Sequence, residues 1–112
     1  MPASRRPLSP TAVAALKAIA DGVRHGFDIM DATGLPSGTV YPALARLEKA
    51  GLIRSSWEAV AIARREKRPP RRYYEITAPG TQELARSLEH YRDLASVSGS
   101  RGATLRPAPG KS

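Results

Sequence analysis

The sequence predicts a mainly α-helical domain with a small β-hairpin, organised as a winged helix-turn-helix that is followed by a C-terminal dimerisation helix. Apolar residues recur at helical spacing in successive short segments, the pattern then changes to that of a strand pair, and a last helical stripe follows. This order, with a glycine-containing turn between the second and third helices, is typical of that architecture.

The first helix is predicted over Pro10 to Ala20, after an arm of residues 1–7 that we expect to be disordered. Ser9 offers a side-chain oxygen to the free N–H groups of the first turn, and proline is well tolerated at the first helical position. Val13 and Leu16 begin its apolar stripe.

The second helix is predicted over His25 to Thr33, and Gly34 is well placed to end it. Either Ser37 or Thr39 can cap the third helix, which Gly51 ends. The residues expected to face inward are Phe27, Met30 and, as a further candidate, Ile29 in the second helix, and Val40, Leu44 and Leu47 in the third.

The hairpin over residues 52–77, called the wing below, has predicted strands at Leu52 to Ala59 and Arg71 to Thr77. A long and very basic connection joins them. Core packing is the favoured interpretation for Trp57, and stacking on a planar ligand is the alternative. Tyr73 and Tyr74 alternate across their strand, so one belongs to the core and the other faces a phosphate or a neighbouring helix.

The last helix is predicted over residues 78–95, with Thr77 as its N-cap, and residues 96–112 have the composition of a disordered basic tail. Its apolar face is broad enough for a two-fold dimer in which the helix crosses its mate and contacts the first helix of the other subunit. The candidate interface residues are Val13, Leu16, Leu84, Leu88, Tyr91, Leu94 and Ala95.

The net charge of +8 on 112 residues is unevenly placed. Residues 64–72 hold six basic residues against Glu66, the two predicted tails hold five basic residues and no acid, and the rest of the chain is slightly acidic. Such a surplus predicts a polyanionic partner, with double-stranded DNA favoured over an anionic membrane surface. The absence of cysteine excludes disulfides and thiolate chemistry.

If the third helix packs through its apolar stripe, the opposite face is available to the major groove of DNA. Arg46 can reach a phosphate or a guanine edge, and the wing cations can neutralise phosphates or enter the minor groove. Ordinary exposed helix positions and a solvated charge run are the alternatives. The candidate DNA-binding residues are Ser37, Gly38, Thr39, Tyr41, Pro42, Arg46, Arg64, Arg65, Lys67, Arg68, Arg71, Arg72 and Tyr73.

Several runs of the sequence resemble the PadR family of transcriptional regulators. They are His25 to Ile29 (HGFDI), Ser37 to Leu44 (SGTVYPAL), Arg46 to Glu48 (RLE), Gly51 to Ile53 (GLI) and Pro69 to Thr77 (PPRRYYEIT). The resemblance covers about residues 8–95 and implies a dimer that regulates promoters, with the C-terminal helix forming much of the dimer contact. The wing departs from the family pattern, because Ala59 to Lys67 contains no glycine.

The predicted function is therefore that of a cytoplasmic, sequence-specific regulator, expected to act as a repressor on an inverted-repeat promoter site as a homodimer. A winged-helix protein-interaction module without specific DNA binding is the alternative. No enzyme, cofactor or metal site is expected, since His25 and His90 lack a carboxylate cluster at ligand spacing. Whether a small-molecule effector binds the protein stays an open question, and no membrane segment is expected.

Overall fold

A computed structural model describes residues 7–105 of the chain, with side chains for residues 7–96. Residues 1–6 of the predicted arm and 106–112 of the predicted tail lie outside the described residues. The predicted fold class is confirmed: the described chain is mainly helical with an antiparallel hairpin. Its elements are α1 Pro10–Ala20, α2 Gly26–Thr33, α3 Ser37–Lys49, β1 Ile53–Trp57, α4 Val60–Arg65, β2 Arg72–Ile76 and α5 Ala78–Leu105.

The helix ends follow the predicted capping chemistry with one exception. The Ser9 hydroxyl accepts a hydrogen bond from the Ala12 amide at 3.1 Å, and Gly34 ends α2 in the left-handed region with φ of 74°. The predicted side-chain cap of α3 is wrong. Pro36 occupies the N-cap position and Ser37 is already helical, so the turn is fixed by the restricted backbone of proline instead.

The core forms where α1, α2 and α3 meet the start of the hairpin and the first turns of α5. Its fully buried apolar side chains include Leu16, Ile29, Val40 and Leu44. The prediction that Phe27 faces inward is wrong, because Phe27 is 68% exposed. Gly26 and Ile29 are the buried residues of α2, and their spacing turns Phe27 to the opposite side.

The wing strands pair in an antiparallel register that sets Ile53 against Ile76 and Trp57 against Arg72. One sheet face therefore runs from the core outward, from buried Ile53 to Trp57, which is 64% exposed. The predicted core packing of Trp57 is wrong because β1 leaves the core before it reaches the ring. The amide of Tyr74 also donates to the Arg24 carbonyl at 2.7 Å, which ties the second edge of β2 to the α1–α2 connection.

The long basic connection between the wing strands is not an extended loop throughout. It contains the short helix α4, which buries Ala63 and leaves Val60 and Ile62 exposed. Three residues in this segment are alanine, the strongest helix former, and nothing in it breaks a helix before Pro69. The wing therefore carries a rigid helical tip.

The last helix is longer than predicted. Thr77 caps it, accepting from the Gly80 amide at 3.1 Å, and α5 continues past Ala95 to Leu105. The helix thus continues through the first ten residues of the predicted tail. No proline interrupts this stretch before Pro107, and a helix commonly ends just before a proline.

Three of the predicted dimer residues belong to the chain's own core. Val13, Leu16 and Leu84 are buried within one subunit, because α5 packs back onto α1. The fully buried Ser87 hydroxyl accepts from the Leu8 amide at 3.1 Å. No helix within residues 7–105 has the length and apolar character needed to cross a membrane.

Candidate nucleic-acid interface

The outer face of α3 is exposed along the whole helix. Val40, Ala43, Leu44 and Leu47 point into the core, so the opposite side is free of the chain's own packing. The structure brings the predicted positions of α3 together on this side, with Thr39 half-buried at its border. The exposed residues of this face are Ser37, Gly38, Tyr41, Pro42, Ala45, Arg46 and Lys49.

Small residues make the start of this face flat. A methyl group added at Gly38 would meet no other atom within 4 Å, so the helix backbone is directly accessible there. Pro42 removes one amide donor without interrupting the helix, which continues to Lys49. A flat, exposed helix surface of this kind permits close approach to the floor of a DNA groove.

Tyr41 explains the glycine in the second helix. Its ring lies directly against Gly26 at the start of α2, and the Cβ of any other residue there would collide with the ring. The ring is therefore held between the two helices of the helix-turn-helix while 46% of it stays exposed. Glycine at position 26 allows α2 and α3 to present one joint surface.

A cleft of about 510 Å³ lies where the helix-turn-helix meets the wing. The cleft is lined by the start of α2, by Tyr41 of α3, and by β2 with the residues before it. Burial raises the pKa of Tyr74, which lines the cleft, so its phenol stays protonated and neutral at neutral pH. The lining residues are His25, Gly26, Phe27, Asp28, Tyr41, Pro70, Arg71, Arg72 and Tyr74.

A buried carboxylate just before α4 binds residues that follow this helix. Glu58, only 8% exposed, binds the Arg68 guanidinium through both oxygens, at 2.6 and 2.9 Å. It also accepts from the Arg71 amide and from the Tyr73 hydroxyl, each at 3.2 Å. The hydrogen bonds from Arg68 are the main cause that lowers the pKa of Glu58 to about 2.

This cluster divides the predicted wing residues into two groups. Arg68 and Tyr73 are partly buried and engaged with Glu58, so their polar atoms serve the wing itself. Sequence reasoning missed Glu58, although it is an isolated acid close to a basic run. The wing cations that remain exposed are Arg64, Arg65, Lys67, Arg71 and Arg72.

Arg72 links the wing to α3. Its guanidinium donates to the Ser55 hydroxyl at 3.0 and 2.8 Å and lies 3.6 Å from a carboxylate oxygen of Glu48 in α3. The Ser55 hydroxyl in turn donates to Glu48 at 2.7 Å. The same guanidinium covers the Trp57 ring, 5.3 Å from its centroid. The inner face of the wing and the outer face of α3 are therefore held in a fixed relation.

Within the part of the chain whose side chains are described, no three His, Asp or Glu residues lie together in an arrangement that holds a metal ion. The acceptors and donors of the site instead suit a phosphate backbone: exposed guanidinium and ammonium groups, hydroxyls and backbone amides.

Comparison with known proteins agrees with this geometry. A regulator of Clostridium thermocellum has 25% sequence identity and a TM-score of 0.65, over 80% of this chain and 89% of its own. A PadR family regulator of Clostridium difficile has 22% sequence identity and a TM-score of 0.72, over 82% of this chain and 97% of its own. A PadR-like regulator of Bacillus cereus has 23% sequence identity and a TM-score of 0.63, over 87% of this chain and 92% of its own. These likenesses support the fold. No curated protein matches the chain.

The family assignment comes from the sequence itself. The model of the PadR-like transcriptional regulator family matches residues 15–86, which run from α1 through the wing into α5. This span includes the α3 face, the Tyr41 contact with α2 and the whole wing. The chain therefore belongs to the PadR-like family of transcriptional regulators and is a DNA-binding regulator, not an enzyme.

Proposed function

We propose that this regulator is a repressor that binds an inverted-repeat promoter site as a homodimer in the cytoplasm. The observation that carries the proposal is the exposed, flat face of α3, which lies beside a wing of exposed cations. A helix of this width fits the major groove, where base edges present a distinct pattern for each base pair. The wing then lies along the neighbouring backbone or minor groove.

The two parts of the interface have different charges and therefore different roles. The α3 face carries two cations, Arg46 and, in its last turn, Lys49, among small and polar residues, so it is suited to reading bases more than to neutralising phosphates. The wing carries six exposed cations, the five named above and Arg54 of β1, and supplies the salt-dependent part of the affinity. We expect α3 to provide most of the specificity and the wing most of the binding energy.

Dimerisation would use the part of α5 that is not engaged in the chain's own core. Leu94 and Ala95 are exposed, and Leu88 and Tyr91 are half-buried. Tyr91 also donates its hydroxyl to the Leu8 carbonyl at 2.8 Å, so the segment before α1 borders the same region. A two-fold pairing through this surface presents two α3 helices to successive major grooves, with half-sites about 10 base pairs apart.

The test begins with selection of bound fragments from genomic DNA, followed by mobility shifts on the recovered site and on a scrambled duplex. Arg46→Ala should weaken binding to the recovered site more than to the scrambled duplex. Arg64→Ala, which removes the same charge from the wing, should weaken both equally. A monomer that ignores DNA but captures a protein partner would contradict the proposal and favour an interaction module.

A further inference from the structure

The wing exposes its largest apolar side chain. Trp57, the one tryptophan of the chain, stands at the outer end of β1 and is 64% exposed. An exposed indole gains nothing from the hydrophobic effect until another surface covers it. Its position in the fold leaves the ring available to a surface outside the folded chain.

The Trp57 ring lies on the inner side of the wing. In the strand register Ser55, Trp57, Arg72 and Tyr74 share one sheet face. This face is turned toward α3, because Ser55 is hydrogen-bonded to Glu48 of that helix at 2.7 Å. Trp57 thus lies on the face of the wing that is turned toward α3, and the proposed binding mode places the DNA backbone along the wing.

The Trp57 ring is also held in place before any ligand arrives. The Arg72 guanidinium covers it at 5.3 Å from the centroid and is itself fixed by two hydrogen bonds to Ser55. The next residue, Glu58, is anchored by Arg68. An aromatic ring fixed in this way loses little conformational entropy when it is covered.

The chemistry of the pair suits a sugar-phosphate backbone. Bases within a duplex are stacked on one another and offer no free face to an aromatic ring, whereas the deoxyribose presents an apolar surface beside an anionic phosphate. The indole offers an apolar face and an N–H donor, and Arg72 adds a cation next to it. The neighbouring exposed cations, among them Arg71, favour a polyanion over an apolar protein surface.

We propose that Trp57 and Arg72 form one composite contact to the DNA sugar-phosphate backbone, with the indole against deoxyribose and the guanidinium on the adjacent phosphate. This inference rests on the proposed DNA-binding function and deepens it. Because the backbone is the same in every sequence, the contact adds affinity without adding base specificity.

The intrinsic fluorescence of Trp57 gives the most direct test, since no other tryptophan contributes. Acrylamide, a neutral quencher, is titrated into the full chain alone, with the recovered operator duplex, and with a scrambled duplex at saturating concentration. Both duplexes should lower the quenching constant at least about twofold, as expected for a ring that its ligand covers. Unchanged quenching in the presence of bound duplex would overturn the proposal.

Substitutions separate the two halves of the contact. Trp57→Ala should weaken binding to both duplexes about fivefold and leave the salt dependence unchanged, while Trp57→Phe retains most of the affinity. Arg72→Gln should also weaken both, and it should reduce the slope of log affinity against log salt by about one. Val60→Ala, which trims another exposed apolar side chain of the wing, is the matched control and should bind like the parent.

The outcomes distinguish this proposal from the function it rests on. If the parent binds its operator but Trp57→Ala binds equally well, the composite contact is wrong and the proposed function stands. Equal losses in Trp57→Ala and Val60→Ala would assign the effect to the whole apolar wing surface and overturn the contact as stated. If the parent protein binds neither duplex, both proposals fail. Circular dichroism melts of each variant exclude unfolding as the cause.

Discussion

At the scale of single residues, the turn that ends α4 has a lysine in the left-handed conformation, where glycine is usual. The turn after α4 has the hydrogen bonds of a Schellman motif, from the Lys67 amide to the Arg64 carbonyl and from the Arg68 amide to the Ala63 carbonyl, each at 3.1 Å. The residue in the left-handed conformation, normally glycine, is Lys67, with φ of 58°. Lys67 therefore combines a strained backbone with an exposed positive charge.

Lys67→Gly should therefore stabilise the fold by about 1 kcal/mol, because glycine has no Cβ to resist a positive φ. Chemical denaturation monitored by circular dichroism gives the free energy of unfolding. Lys67→Ala is the control, since it removes the same charge and keeps the Cβ. If the glycine variant is no more stable than the alanine variant, the left-handed turn is not present in solution. Both variants should lose DNA affinity to a similar extent.

Glu58 makes the stability of the wing depend on pH. Its pKa is lowered from 4.5 to about 2, chiefly by the hydrogen bonds from Arg68, so its stabilising contribution is complete above pH 4.5 and is lost as the pH falls toward 2. Glu58→Gln should melt at a lower temperature than the parent at pH 7, and the difference should close near pH 2. Thermal melts across this range check the prediction.

The exposed carboxylate Glu66, at the end of α4, provides the control for that series. Glu66→Gln should leave the melting temperature at pH 7 close to that of the parent. A gap between Glu58→Gln and the parent that persists unchanged at pH 2 would show that the carboxylate charge is not what holds the wing together.

At the scale of elements, local patterns predicted most of the fold. The bounds of α1, α2 and the strands follow from capping residues and apolar spacing that lie within a few positions of each other in sequence. What failed depended on tertiary context. The sequence could not show that α2 turns Ile29 inward instead of Phe27, or that β1 leaves the core before Trp57, because both depend on how far neighbouring elements reach.

In the candidate site too, features set by local pattern were predictable and features set by tertiary contacts were not. The exposed face of α3 was predictable because it is the complement of a regular apolar stripe. The separation of Arg68 and Tyr73 from the other wing residues was not, because it depends on their partner Glu58 across the α4 turn. Charge counting alone treats every arginine of the wing as equivalent.

Two glycines test how the elements pack. A Cβ at Gly80 would overlap the Leu52 carbonyl, where α5 meets the residue just before β1, whereas Gly38 on α3 faces open space. Gly80→Ala should destabilise the fold by about 3 kcal/mol. Gly38→Ala should stabilise it by about 0.5 kcal/mol through helix propensity and yet weaken operator binding, because the added methyl group faces the groove. Denaturation and mobility shifts measure the two effects.

Opposite results for this pair would be informative. A harmless Gly80→Ala substitution would contradict the close packing of α5 against Leu52. A Gly38→Ala variant that binds the operator as tightly as the parent would contradict the placement of this part of α3 in the groove.

At the scale of the whole molecule, the proposed function depends on a surface that a single chain leaves uncovered. The α5 segment beyond Leu88 packs less tightly than its first turns, and Leu94 is exposed. Leu94→Asp should dissociate the proposed dimer and reduce operator affinity about a hundredfold, because the second α3 then no longer binds as part of the same molecule. Light scattering after size-exclusion chromatography measures the mass.

Gln82→Asp introduces the same acid on the exposed side of the same helix, near its start, and serves as the control. It should remain dimeric. A parent protein that is monomeric at micromolar concentration would contradict the proposed dimer, and a Leu94→Asp variant that stays dimeric would place the interface elsewhere.

The central claim is that a two-fold dimer presents α3 of each subunit to successive major grooves. A hydroxyl-radical footprint of the parent protein on the recovered operator tests it most directly. For such a dimer we expect protected patches about 10 base pairs apart on each strand, related by a two-fold axis at the centre of the inverted repeat. A single unpaired patch, or uniform protection that is the same on a scrambled duplex, would contradict it.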